Sequence, residues 1–91
     1  MQDIILDFTG CRYMLELHNI VKEKFDFPEW YGNNLDALWD CMRDYCGYNR
    51  CVYIKGLKSL PKEFEGYMDK ILEIFERVHT ENPTVVFKIV S

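Results

Sequence analysis

The chain opens with Asp3-Ile4-Ile5-Leu6-Asp7-Phe8, a short run of β-formers bounded by Thr9-Gly10, which predicts a strand. From Cys11 the period changes. Met14, Leu17, His18, Val21 and Phe25 fall on one helical face, with Lys22, Glu23 and Lys24 between them. Pro28 is expected to close this helix after a short break, because the residue before a proline avoids the α region. Asp26 to Asn33 then reads as a loop carrying Pro28, Gly32 and two large aromatics, Trp30 and Tyr31. Either Asn33 or Asn34 can cap a second helix over 34–46, where Leu35, Leu38 and Met42 recur at helical spacing and Gly47 ends the pattern. Arg50 to Lys55 predicts a second strand, followed by Gly56. Residues 57–66 suggest a short helical turn around Pro61. Phe64, Met68, Ile71, Phe75 and Val78 mark the clearest amphipathic helix, stopped by Asn82-Pro83. Thr84 to Val90 predicts a third strand, apolar enough to lie centrally in a sheet.

The order is therefore β-α-α-β-α-β. Strands separated by helices favour a parallel sheet, because each crossover returns the chain to the same end. The expectation is an α/β fold: a small parallel three-stranded sheet packed with about four helices, the fourth being the turn near Pro61. Residues 1–91 fit one domain, since two would each fall below the size that sustains a core unaided. No internal repeat, linker or low-complexity segment interrupts them.

Composition narrows the function classes. Hydrophobic residues at 48% and charged residues at 29%, with 6 Phe, 6 Tyr and 2 Trp, describe a chain able to bury a core rather than a disordered one. The longest apolar runs are only a few residues, against the roughly 20 a spanning helix needs, so no membrane span is expected. The start at Met1-Gln2-Asp3 shows no export signal, which implies a cytoplasmic protein. Cys11, Cys41, Cys46 and Cys51 form no C-x-x-C pair and match no zinc spacing, so buried, reduced thiols are expected. No phosphate-binding or hydrolase motif occurs. His18 shares its face with Leu17 and Val21 and reads as a packing histidine. His79 sits in a last helical turn, where the helix dipole explains it.

The net charge of −4 carries more information in its distribution than in its size. Residues 26–46 hold Asp26, Glu29, Asp36, Asp40 and Asp44 against Arg43 alone, while ten acids balance ten bases in the rest of the chain. The whole imbalance lies in one stretch, which points to a basic partner. Direct nucleic-acid binding calls for the opposite sign. Asp36, Asp40 and Asp44 are spaced i, i+4, i+8, a row on one side of a helix that costs about 0.2–0.5 kcal/mol of repulsion per pair. Aromatics Trp30, Tyr31 and Trp39 lie in or beside the row, and Gly32 permits close backbone approach. Loop aromatics such as Trp30 and Tyr31 usually signal contact, whereas Trp39 is expected to be partly core. A row of this kind is a solvated face, a divalent-metal site, or a mimic of a phosphate backbone occupying a basic site on another protein. The metal reading is weak, since two aspartates on a convex helix find no further ligand in the sequence.

The run Pro28-Glu29-Trp30-Tyr31-Gly32-Asn33-Asn34-Leu35-Asp36-Ala37-Leu38-Trp39-Asp40-Cys41 resembles the signature of the barstar family, intracellular inhibitors of barnase-type ribonucleases. Leu17-His18, Ile71-Leu72 with Phe75, and the element order extend the resemblance more loosely over the chain. It implies an inhibitor that lays its loop and acidic helix over an enzyme's active site. Asp40 would enter the pocket that holds an RNA phosphate, and Asp36 would pair with a basic group at the rim. Tyr31, Gly32, Asn34 and Trp39 match the family and would shape or support the contact. Trp30 stands where the family has a tyrosine that packs on the enzyme. Arg77 aligns with an acid that contributes to the contact, so that contact is lost or reversed. Arg43 and Asp44 replace small neutral residues at the rim, Tyr45 replaces a tryptophan, and Asn49 replaces a proline. With its centre kept and its rim rewritten, the surface implies a 1:1 complex with a basic ribonuclease or ribonuclease-like toxin, not necessarily barnase. The free chain is expected to be monomeric, without cofactor or metal and without enzymatic activity. Two other readings remain: a module that turns the same acidic helix to another basic protein, and a metal-dependent hydrolase built on Asp36 and Asp40.

Overall fold

Strands β1 (Ile4–Asp7), β2 (Arg50–Lys55) and β3 (Val85–Ile89) form one parallel sheet in the order β1-β2-β3. The computed structural model describes residues 3–90. Met1 and Gln2, at the start read above as lacking an export signal, and Ser91 lie outside the described residues. Ile4 faces Val52 across the sheet, and Leu6 faces Ile54. All four are buried, whereas Ile5, Asp7 and Lys55 are exposed, so the strands put one face against the core and the other toward water. β2 takes the centre and β3 an edge, which corrects the central placement expected for Thr84–Val90. Val86 and Ile89 are exposed despite the apolar run. An apolar strand is compatible with either position, and pairing order depends on where the crossover helix returns the chain.

Helix α1 (Met14–Phe25) buries Leu17, His18, Val21 and Phe25, the expected face, with Met14 half-buried. The Glu16 carboxylate accepts from the free N–H groups of Arg12 and Tyr13 at 2.8 and 3.1 Å. Its C-terminus is set before Pro28. Asp26 takes a left-handed φ of 57°, and the N–H groups of Asp26 and Phe27 donate to the carbonyls of Glu23 and Lys22. That pattern is a Schellman motif with aspartate in the place usually held by glycine. Helix α2 (Leu35–Tyr45) buries Leu38, Cys41 and Met42 and packs on helix α3 (Glu65–Glu81). In α3, Met68, Ile71, Phe75 and Val78 are buried with Phe64 just ahead of it, and Ile74 joins them. The expected turn near Pro61 is two single 3-10 turns, Leu57–Ser59 and Lys62–Phe64, one on each side of the proline. Gly56 is required where β2 ends: φ is 80°, and a Cβ there would lie 2.4 Å from the Thr9 nitrogen.

The buried apolar residues of all these elements join in one cluster, with Phe75 stacked on Phe87 at 4.6 Å. Cys11, Cys41 and Cys46 are buried and unpaired, and Cys51 is half-buried and unpaired. Burial pushes the Cys41 thiol up, assisted by Asp40 and Asp44, which leaves it a poor nucleophile. Among the described residues no helix is long and apolar enough to cross a membrane.

Candidate functional site

The loop before α2 is built on a buried aromatic floor. Phe25 stacks on Phe27 at 5.7 Å, Phe27 meets Tyr31 at 4.9 Å, and Tyr45 closes edge-on at 6.1 Å. Tyr31 is only 4% exposed, which corrects the expectation of a contacting surface aromatic. Its ring fills the core because its hydroxyl has a buried partner: His18 Nδ1 at 2.6 Å, while His18 Nε2 meets the Tyr67 hydroxyl, also at 2.6 Å. A neutral imidazole donates through one nitrogen and accepts through the other, so both hydroxyls are satisfied. Burial lowers the His18 pKa, consistent with that neutral form, and raises that of Tyr31. One histidine of α1 thus ties the loop to α3. It is the satisfied packing histidine expected, with tyrosine partners that sequence spacing did not indicate.

Above this floor, Trp30 stands 68% exposed. The Asn34 side chain caps α2, accepting from the Ala37 N–H at 2.8 Å, and its own amide donates to the Gly32 carbonyl at 3.3 Å. Of the two candidate caps, Asn34 serves. Asn33 instead takes the left-handed turn, with φ of 54°. Gly32 keeps the turn close, since a Cβ there would sit 3.3 Å from the Asn34 amide nitrogen. Asp36, Asp40 and Asp44 are exposed on the face of α2 opposite Leu38, Cys41 and Met42. None of the three has an ion pair among the described residues. Among those residues, no group of three or more His, Cys, Asp or Glu side chains is placed to hold a metal.

Trp39 is half-buried, as expected, and collects two cations. The Arg77 guanidinium of α3 lies 4.1 Å over its ring, and that of Arg43 lies 5.5 Å away. Arg43 also reaches Glu81 at 4.0 Å. Arg77 therefore belongs to the same surface as the acidic row, brought there by the α2–α3 packing. Tyr45 is partly exposed beside the loop floor. Between the C-terminal ends of α2 and α3 lies a cleft of about 360 Å³, lined in part by Trp39, Asp44, Tyr48 and Glu81. Sequence reasoning did not single out Tyr48 or Glu81. Glu81 stands four residues after Arg77, but its pairing with Arg43 depends on tertiary packing. Asn49, singled out for replacing a proline, takes a left-handed φ of 51° that proline is unable to adopt.

A family model described as Barstar (barnase inhibitor) matches residues 1–91, the whole chain. A Bacillus subtilis (strain 168) protein named "Putative ribonuclease inhibitor YrdF" is 33% identical over 81 residues, covering 89% of each chain. The match over the full length, the parallel sheet in β-α-α-β-α-β order and the capped acidic helix agree, and the chain belongs to the barstar family.

Proposed function

We propose that this chain is a stoichiometric inhibitor of a barnase-type ribonuclease or ribonuclease-like toxin. It acts in the cytoplasm as a monomer that forms a 1:1 complex, and it has no catalytic activity of its own. The observation that carries this reading is the row Asp36, Asp40, Asp44: exposed, without ion pairs among the described residues, on a rigid capped helix of a barstar-family chain. A site that binds RNA presents cations to phosphate, and a fixed row of carboxylates competes for the same groups. Asp40 is the middle of the row and its anchor. Asp36 and Asp44 flank it, Trp30 contributes exposed aromatic area, and Tyr31, Gly32 and Asn34 hold the loop in shape. A carboxylate buried at an interface is tolerated only against paired cations, which restricts the partner to proteins with a basic pocket.

Titration calorimetry against a panel of purified barnase-type ribonucleases, at low and high salt, tests the reading. Tight 1:1 binding that weakens with salt, together with loss of RNA cleavage, is the expected result. Absence of binding across the panel would leave the fold in place but discard the inhibitor assignment. The mixed charge around Trp39 favours one alternative, a module directed at a different basic protein, and pull-down followed by identification separates the two.

A further inference from the structure

The charges left without internal partners on this surface describe what must face them. Asp36, Asp40 and Asp44 have no ion pair among the described residues. Arg43 is not another, because it is drawn to Glu81 at 4.0 Å. Arg77 joins them from α3. It is exposed, and the described residues give it neither ion pair nor hydrogen bond. Its guanidinium carbon lies 4.1 Å from the centre of the Trp39 ring. Glu81, its natural i+4 partner on α3, is engaged by Arg43 instead. Stacking covers one face of the guanidinium and restricts the long side chain. No described residue accepts from the N–H groups around the edge of the plane. A planar fork held in this way matches a carboxylate in bidentate geometry, and less entropy is lost when it pairs.

We propose that Arg77, held on Trp39, is a specificity-determining residue that receives an aspartate or glutamate of the partner. The ribonuclease surface would then carry a carboxylate beside the basic pocket that takes Asp40. This deepens the inhibitor reading and rests on it. A phosphate of RNA would also suit the fork. It is disfavoured here, because three carboxylates without an ion pair among the described residues share the face and the chain carries a net charge of −4.

The test is Arg77→Glu, read by surface plasmon resonance against those ribonucleases of the panel that the native chain binds. General electrostatics and the proposal predict opposite signs. Making the inhibitor more acidic speeds its encounter with a basic enzyme. Loss of the local pair, and repulsion between two carboxylates, speeds dissociation. The expected result is affinity weakened by about tenfold or more through the dissociation rate, the scale of a charged hydrogen bond. Arg77→Lys, which keeps the charge but not the fork, is expected to fall between the two. Unchanged or tighter binding by Arg77→Glu would overturn the proposal while leaving the inhibitor reading in place. No binding by the native chain to any member of the panel would remove both. A short RNA titrated onto the chain alone is expected not to bind, and RNA binding abolished by Arg77→Glu would assign the fork to phosphate and overturn the carboxylate.

Discussion

At the residue scale, the role proposed for Asp40 sets function against stability. It has a like charge four residues away on both sides, and aspartate is a poorer interior helix former than alanine. Asp40→Ala is therefore expected to unfold at the same or slightly higher denaturant concentration, by about 0.5–1 kcal/mol at most. The same variant is expected to lose ribonuclease inhibition. A stable variant that still inhibits would remove Asp40 from the anchor position. His18 acts on stability through protonation. Its pKa in the folded chain lies below the ordinary 6.5 because burial disfavours the cation. As pH falls below about 6.5 the unfolded chain takes up a proton that the folded chain does not. Stability contributed by neutral His18 is thus complete above that pH and declines as pH drops toward the lower folded value. Tyr31 sets the alkaline side in the same way. Its folded pKa is raised above the ordinary 10.0, so stability declines once the unfolded tyrosine ionises. Urea denaturation across pH 5–8, comparing the native chain with His18→Gln, checks the acid limb. The slope assigned to His18 should vanish in the variant.

At the scale of elements, α2 is made by its cap and its two faces. Asn34 satisfies one of the free amides at the start of the helix, and Leu38, Cys41 and Met42 hold the helix to the body. Asn34→Ala should cost about 1 kcal/mol in thermal or urea unfolding. It should also weaken partner binding, because the same side chain ties Gly32 to the first turn and so shapes the loop that carries Trp30. Asn34→Asp retains the cap and is expected to restore the stability. Much of this element was legible in sequence: the cap candidates, the apolar face and the acidic row all follow from spacing. The end of α1 was not. Pro28 marked a boundary, but Asp26 makes it by adopting a left-handed conformation that residue type alone does not announce.

For the whole molecule the relevant quantity is the field. All of the net charge resides in residues 26–46, and the structure gathers the charged residues of α2 on one side of the helix. Association with a basic ribonuclease is therefore expected to be fast at low ionic strength and to slow as salt shortens the screening length, by stopped-flow mixing. An association rate indifferent to salt would mean that the acidic row does not steer. The dissociation rate should respond much less, since it reports desolvated contacts such as the one proposed for Asp40.

Local periodicity determined the elements, because a buried face must repeat every two residues in a strand and about every 3.6 in a helix. The distribution of charged residues along the chain gave the charge asymmetry, and the block at 28–41 carried the family resemblance. Tertiary structure decided what no spacing encodes. β3 became an edge, since pairing order depends on the path of the crossover. Tyr31 turned inward, since His18, itself held by Tyr67, offers its hydroxyl a buried partner. Arg77 came to rest on Trp39, since α2 and α3 pack side by side. Each of these joins residues far apart in the chain, and such contacts depend on how whole elements pack rather than on the pattern within any one of them.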